Sequence, residues 1–446
     1  MFISKVIQKV SLLKGRTGLH KILANISWLF ADRILRMGFG LVVGIWVARY
    51  LGVQQFGLLN YAIAFVAIFN PLANLGLDVV VVRRLVADPT QQQSILGTSF
   101  WMRFVAGWLT WLAVIIGIYL LRHDDAMTIV TVTILGAANI FQSFDTIDLW
   151  FQSQVRSKYS VLAKNAAFIA TTSIRVVMVL SHAPLVAFVV AILLEAVLGA
   201  VGLLIVYKQQ GYLVKLWQWS RSLAQDLLRE SLPLILSGLT IMIYMRIDQI
   251  MLGQMIGDKA VGVYSAATRI SEVWYFIPMT VSSSVMPSIF NAKEISEELY
   301  YQRIGGLNRG LTWLAIAVAI VMTFVSKPLI VMLFGNSYIE SGTILAVHIW
   351  ASVFVFSGVA TSGWFIAENL SYLSLYRTLS GAIVNILLNI FLIPIYGGLG
   401  AAIATVIAQA VASFISNGVN PKTRKLFKVQ IKSLLPIKLQ LTHKIF

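Results

Sequence analysis

Arg33, Arg36, Arg246 and Arg269 stand in stretches of sequence that are otherwise apolar, and so do Glu195, Asp248 and Glu272. A guanidinium offers a fixed fork of N–H donors that matches phosphate or carboxylate oxygens, so arginines in such a setting suit an anionic ligand. The carboxylates are the groups that a coupling cation, Na+ or a proton, would use. Spacing sorts them further. Asp32 and Arg36 are i,i+4, and Arg269 and Glu272 are i,i+3, so each pair is able to neutralise itself on one helix face. Arg246 and Asp248 are i,i+2 and point about 200° apart on a helix, so at least one needs a partner elsewhere. The competing reading of all these charges is interhelical pairing that only holds a bundle together. His182 and His348 lack a second ligand at metal spacing and read as structural. Cysteine is absent, which removes thiolate chemistry, cysteine zinc sites and disulfides. No metal site and no resident cofactor is expected.

The elements that must position these groups are membrane helices. The chain has 446 residues, 58% apolar and 12% charged, with a mean hydropathy of +0.81. Soluble chains carry roughly 25% charged residues, so a soluble enzyme, a disordered chain and a secreted scaffold are excluded. Runs long enough to cross a bilayer, about 20 residues each, fall at 25–48, 57–82, 95–121, 126–151, 159–180, 184–207, 230–254, 261–290, 304–325, 341–367, 373–395 and 397–419. The expected fold is an all-α polytopic membrane protein of about twelve transmembrane helices without an extramembrane domain. Alternate connections carry 23 and 4 Lys and Arg residues, which predicts that both termini are cytoplasmic. This asymmetry also accounts for the net charge of +17 without a nucleic-acid partner.

The arm 1–24 carries Lys5, Lys9, Lys14, Arg16 and Lys21 among scattered apolar residues, and lacks the apolar core and cleavage site of a signal peptide. It reads as an amphipathic helix on the membrane surface, and so does the basic tail 421–446. Between them the chain divides into an N-lobe over 25–207, a cytoplasmic linker over 208–229 and a C-lobe over 230–420. The division follows from a repeat. Leu51-Gly52-Val53-Gln54-Gln55-Phe56-Gly57 through Ala62 and Ile256-Gly257-Asp258-Lys259-Ala260-Val261-Gly262 through Ala267 coincide at a constant offset of 205, each after the first span of its half. Two six-helix lobes in the same orientation make a parallel repeat, the plan of transporters that bind substrate between lobes in a central cavity.

An ionised side chain facing lipid costs roughly 2.5 to 3.5 kcal/mol on insertion scales, so this many charges imply a polar interior. Arg36 lies deepest in span 1, with Arg33 one turn shallower. Lys164, Arg309, Asp78, Asp145 and Asp148 lie within two turns of the cytoplasmic ends, where long side chains reach water. Pro71, Pro233, Pro278, Pro287 and Pro394 fall in or beside spans and permit bending.

Several stretches resemble the polysaccharide-exporter branch, the Wzx-like O-antigen and exopolysaccharide flippases, of the multidrug/oligosaccharidyl-lipid/polysaccharide (MOP) exporter superfamily. They are Arg33-Ile34-Leu35, Val47-Ala48-Arg49-Tyr50-Leu51-Gly52, Phe56-Gly57-Leu58-Leu59-Asn60-Tyr61-Ala62 and Leu75-Gly76-Leu77-Asp78 with Arg83. Leu333-Phe334-Gly335-Asn336-Ser337-Tyr338, the run Asn389 to Gly397 and Gly400-Ala401-Ala402-Ile403-Ala404-Thr405 continue the likeness, which covers about 25 to 420. Ala267-Thr268-Arg269-Ile270-Ser271-Glu272 is similar to a helix of the lipid II flippases whose arginine lines the cavity, although this chain has no room for their two extra C-terminal helices.

The resemblance implies a flippase, not an enzyme, that moves an undecaprenyl-diphosphate-linked oligosaccharide across the bacterial inner membrane by alternating access. Arg33, Arg36, Arg246 and Arg269 would hold the diphosphate. Glu195, Asp248 or Glu272 would couple a cation, and a polysaccharide polymerase and a chain-length regulator would be partners. The alternatives are a cation-coupled multidrug exporter of the same superfamily, a polytopic polymerase or ligase, for which the outer connections are short, and an ion channel or scaffold. Which glycan is carried depends on cavity shape and has no linear signature.

Overall fold

The computed structural model describes residues 16–435, and these are helical without strands. The helices are α1 (Arg16–Asn74), α2 (Leu77–Ala87), α3 (Gln92–Leu121), α4 (Ala126–Phe141), α5 (Asp145–Ser153), α6 (Lys158–Leu180), α7 (Leu185–Gln209), α8 (Arg221–Met255) and α9 (Asp258–Glu272). There follow α10 (Phe276–Ile295), α11 (Glu297–Phe334), α12 (Ile339–His348), α13 (Ala351–Ala360), α14 (Ser362–Ala367), α15 (Ser371–Tyr396), α16 (Gly398–Ala410), α17 (Ser416–Val419) and α18 (Arg424–Leu434). Among the described residues ten helices are long and apolar enough to cross a membrane, or eleven if the bent pair over 336–367 is one span. One of the ten runs from Asp32 to Ala87 and contains two of the expected crossings. It breaks at Gly52, whose φ of 70° and ψ of 172° lie outside any helix, so α1 is two limbs and the count returns to the expected twelve. Large apolar side chains stand outward on these helices, among them Phe324 at 81%, Leu120 at 75% and Val419 at 73% exposure. Such a surface needs lipid around it, and the protein is a polytopic all-α membrane protein.

The chain forms two compact units. The first comprises residues up to Tyr50 and Phe65–Leu239, the second Leu51–Ala64 and residues from Thr240 onward. In the first, α2, α3, α5, α7 and the start of α8 enclose a core of Leu77, Val81, Leu96, Ile147, Trp150, Phe151, Leu203 and Leu227. The segment 208–229 is built into that unit. Trp217 Nε1 donates to Tyr207 Oη at 3.3 Å, the Trp150 and Tyr212 rings lie 4.3 Å apart, and the Gln218 amide donates to the Gln93 carbonyl at 3.1 Å. α8 already begins at Arg221, and its Glu230 is clamped by Arg83 and Arg84 of α2.

In the second unit α10, α11, α14 and α18 enclose Ile289, Tyr300, Ile304, Trp364 and Leu426. The tail helix α18 also packs on protein. Leu426 and Gln430 are buried, and Gln430 Nε2 donates to Ser357 Oγ and to the Ser413 carbonyl, both at 2.9 Å, while its Oε1 accepts from Asn417 at 2.8 Å. One side of the helix is therefore covered by protein, while Ile431 and Leu434 stay exposed, and Lys425 reaches Glu297 at the start of α11. Residues 1–15 of the expected arm 1–24, and Lys438 and Lys444 of the tail, lie outside the described residues, while residues 16–24 of the arm are the start of α1.

Candidate functional site

In the first unit the α1, α6 and α7 charges form one network. Arg36 Nε lies 2.8 Å from Asp32 Oδ1 one turn before it, as the i,i+4 spacing predicts, and its Nη1 lies 3.6 Å from Glu195 Oε1. Arg175 Nη2 lies 2.7 Å from Glu195 Oε2, which also accepts from Thr171 Oγ1 at 3.2 Å. The Arg36 guanidinium sits 5.0 Å from the centre of the Phe168 ring. Glu195 is thus held by two arginines, one from α1 and one from α6. Arg33 is exposed on the first limb of α1.

A cavity of about 310 Å³ opens beside this network, lined by Arg36 and Glu195 at one part and by Gln142, Asp145 and Lys164 at another. Lys164 Nζ lies 2.8 Å from both Asp145 and Asp148, so the near-terminal charges that sequence alone marks as snorkelling form a bridge across α5 and α6. The small residues Ala138, Ala196, Gly199 and Ala200 leave the cavity its room. Arg103 of α3 is also partnered, 2.6 Å from Asp78.

In the second unit Arg246 and Asp248 take different partners, as their i,i+2 spacing requires. Arg246 Nη1 approaches Glu272 Oε2 at 3.9 Å, so Glu272 of α9 has a cation on α8 beside it. The Arg269 guanidinium stands 5.3 Å from the Phe56 ring centre, a cation–π contact.

Asp248 is 4% exposed and sits in a shell of neutral donors. Its Oδ2 accepts from Thr405 Oγ1 at 2.6 Å and Tyr264 Oη at 2.7 Å, and its Oδ1 from Asn389 Nδ2 at 2.6 Å. Asn389 Nδ2 also donates to Asn385 Oδ1 at 3.1 Å, while Asn389 Oδ1 is buried without a hydrogen-bond partner. Two hydroxyls and one amide nitrogen, all neutral, thus satisfy this buried carboxylate. Sequence reasoning missed Asn385, Asn389, Tyr264 and Thr405 as members of this shell. The available signal was two asparagines one turn apart on α15, polar side chains that a lipid-facing helix would not carry. His348 is structural, its Nδ1 3.0 Å from Ser271 Oγ. Among the described residues no three His, Cys, Asp or Glu side chains gather as a metal site.

The family model described as polysaccharide biosynthesis protein matches residues 22–293, and the MatE model matches residues 233–391. The Haloferax volcanii protein described as a probable flippase, AglR, is 32% identical over 195 residues, which are 42% of this chain and 40% of AglR. The matched part is thus less than half of that relative. Among solved structures, the lipid II flippase MurJ in an inward closed conformation is similar with a TM-score of 0.69 at 15% identity, over 92% of this chain and 91% of that one. An inward-facing multidrug resistance MATE family transporter of the MOP superfamily gives a TM-score of 0.67 at 16% identity, over 92% and 100%. At these identities the likeness is one of fold. The first family model covers more than half of the chain, and this multi-pass membrane protein of MOP-superfamily fold belongs to the polysaccharide biosynthesis protein family.

Proposed function

We propose that the protein is a flippase, a transporter and not an enzyme, that carries a lipid-linked oligosaccharide across the bilayer. The observation that carries this reading is the polar cavity lined by Arg36, Lys164, Asp145 and Glu195 inside otherwise apolar helices of a polysaccharide biosynthesis family member. A diphosphate headgroup crossing hydrocarbon unaided costs far more than keeping a few partnered arginines in the membrane. Arg33, Arg36, Arg246 and Arg269 are the residues proposed to meet that diphosphate, with the polyprenyl chain, undecaprenyl in this reading, left in lipid. Carboxylates balance Arg36 and Arg246 in the structure. Phosphate oxygens then replace Asp32 and Glu195 on Arg36, and Glu272 on Arg246, so ligand entry is an exchange of ion-pair partners.

Asp248 is the favoured coupling residue, because its shell is neutral whereas Glu195 and Glu272 are engaged by arginines. The charge asymmetry of the connections supports an inner-membrane protein with cytoplasmic termini, and the substrate class suggests a polymerase and a chain-length regulator as partners. Purified protein in vesicles carrying a fluorescent lipid-linked oligosaccharide tests the reading. Quenching of the label from outside should reach the inner-leaflet pool only when the protein is present. No acceleration over empty vesicles rejects the flippase. The carboxylates Asp145 and Glu195 on the cavity wall favour a second reading, a cation-coupled exporter of cationic compounds, for which efflux of a cationic dye from the same vesicles is the test.

A further inference from the structure

A second, largely apolar pocket, of about 290 Å³, lies in the other unit between the first turns of α15, the end of α16 and α17. Its one charged wall is Arg377, seventh residue of α15 and so about 9 Å along the helix from its start. The Arg377 guanidinium packs over the Phe365 ring at 4.8 Å. Its Nη1 is sealed from solvent and has no hydrogen-bond partner among the described residues. No acidic side chain lines the pocket; Ser380, Ser416 and Asn417 supply the neighbouring polar groups. A guanidinium nitrogen buried without an acceptor is unfavourable unless an anion completes it. Between α16 and α17 the chain winds as a π-turn over Val411–Ile415, and both end residues of that turn line the pocket. Such bulges widen a helix where room is needed.

The surroundings indicate which anion fits. Tyr376 is 63% exposed and Ile415 48%, and both also line the pocket, so its walls continue onto the lipid-facing surface. At the start of α15 the exposed Lys422 reaches Tyr372, its Nζ donating to the Tyr372 Oη at 3.2 Å, and so adds a second cation near an anionic headgroup. A free phosphate would satisfy Arg377 and leave the apolar walls unused. We propose that this pocket binds an anionic phospholipid, its phosphate on Arg377 and Ser380 and its acyl chains along Tyr376 and Ile415. The site is separate from the Arg36–Glu195 cavity and does not depend on the flippase reading.

Native mass spectrometry of the delipidated full chain, titrated with phosphatidylglycerol, phosphatidylcholine or inorganic phosphate, tests it. The wild type should retain one phosphatidylglycerol at least tenfold more tightly than phosphatidylcholine. R377Q should lose that preference, and R377K should keep part of it, because the charge remains and the fork does not. I415W fills the pocket without touching the guanidinium, and should also abolish retention, which decides the matter if R377Q does not fold. Retention unchanged in I415W or in folded R377Q overturns the proposal. Displacement of phosphatidylglycerol by millimolar inorganic phosphate overturns the lipid as occupant and assigns the pocket to a soluble phosphate.

Discussion

Gly57 and Gly262 mark a reciprocal helix crossing in the second unit. A Cβ on Gly57 would lie 1.8 Å from the Asp258 carbonyl oxygen, and one on Gly262 would lie 2.1 Å from the Val53 carbonyl oxygen. The offset of 205 that relates the two sequence segments carries Gly57 onto Gly262 and Val53 onto Asp258. The crossing therefore repeats itself about a local two-fold relationship. Gly52 and Gly257, at the same offset, both take positive φ, 70° and 112°, and open the second limb of α1 and α9 respectively.

This crossing predicts that neither Gly57 nor Gly262 tolerates alanine. The obstacle in each case is backbone, which cannot rotate aside, so the helices must separate and their neighbours lose contact. Overpacking of this kind costs about 1 to 3 kcal/mol. Thermal unfolding of the purified variants in detergent should show a clear drop for G57A and for G262A, with a similar size because the two contacts are related by the repeat. Wild-type Tm values for both would contradict the crossing.

Glu195 gives a second test, one that separates structure from coupling. If its main work is to hold Arg175 and Arg36, E195Q leaves two partly buried guanidinium groups underpartnered, and the protein loses stability. Combining E195Q with R175Q should then cost less than the two single changes added together, by about 1 to 3 kcal/mol of coupling. Partial exposure puts the expected value toward the lower end of that range. Additive losses would mean that the 2.7 Å contact contributes nothing to stability.

The span pattern was readable because crossing a bilayer requires an apolar run of fixed length, and such runs survive in sequence regardless of neighbours. Partner choice among charges was readable only where it is local. Asp32–Arg36 follows from one helix, whereas the approach of Arg246 on α8 to Glu272, and of Arg175 on α6 and Arg36 on α1 to Glu195, needs packing to decide. The tail helix shows the same limit. Its amphipathic pattern says that one face is covered, but not whether lipid or protein covers it, and Gln430 turns out to bond Ser357 and Asn417. Likewise Tyr212 and Trp217 gave the connection 208–229 no periodic signal, yet they pack onto Tyr207 and Trp150.

The neutral shell of Asp248 predicts a cation-dependent stability. If Na+ binds there, raising Na+ at constant ionic strength with K+ should raise the Tm of the wild type, since a ligand that binds only the folded state stabilises it. D248N keeps the shape and removes the charge, so the Na+ response should vanish. Thr405→Val deletes the donor 2.6 Å away and should weaken the response without abolishing it. An equal response in wild type and D248N excludes Asp248 as the ion site. A proton-coupled cycle would instead show no Na+ response in either protein and a transport rate in D248N that no longer changes with pH.

Arg269 provides the sharpest test of the flippase reading. Its guanidinium lies over Phe56, a contact that Lys is able to keep in part and Ala is not, so a purely structural role predicts that R269K resembles the wild type in both abundance and transport. A role in gripping a diphosphate predicts otherwise. Two parallel N–H donors are lost in R269K, and transport should then fall at least tenfold while membrane abundance and Tm remain near wild type. R269A should be inactive. F56L supplies the control, since it removes the ring under the guanidinium and leaves the fork: it should lower Tm more than it lowers transport per folded molecule. If R269A flips the labelled lipid-linked oligosaccharide at the wild-type rate, Arg269 does not bind the headgroup, and the remaining weight of the reading falls on Arg33, Arg36 and Arg246.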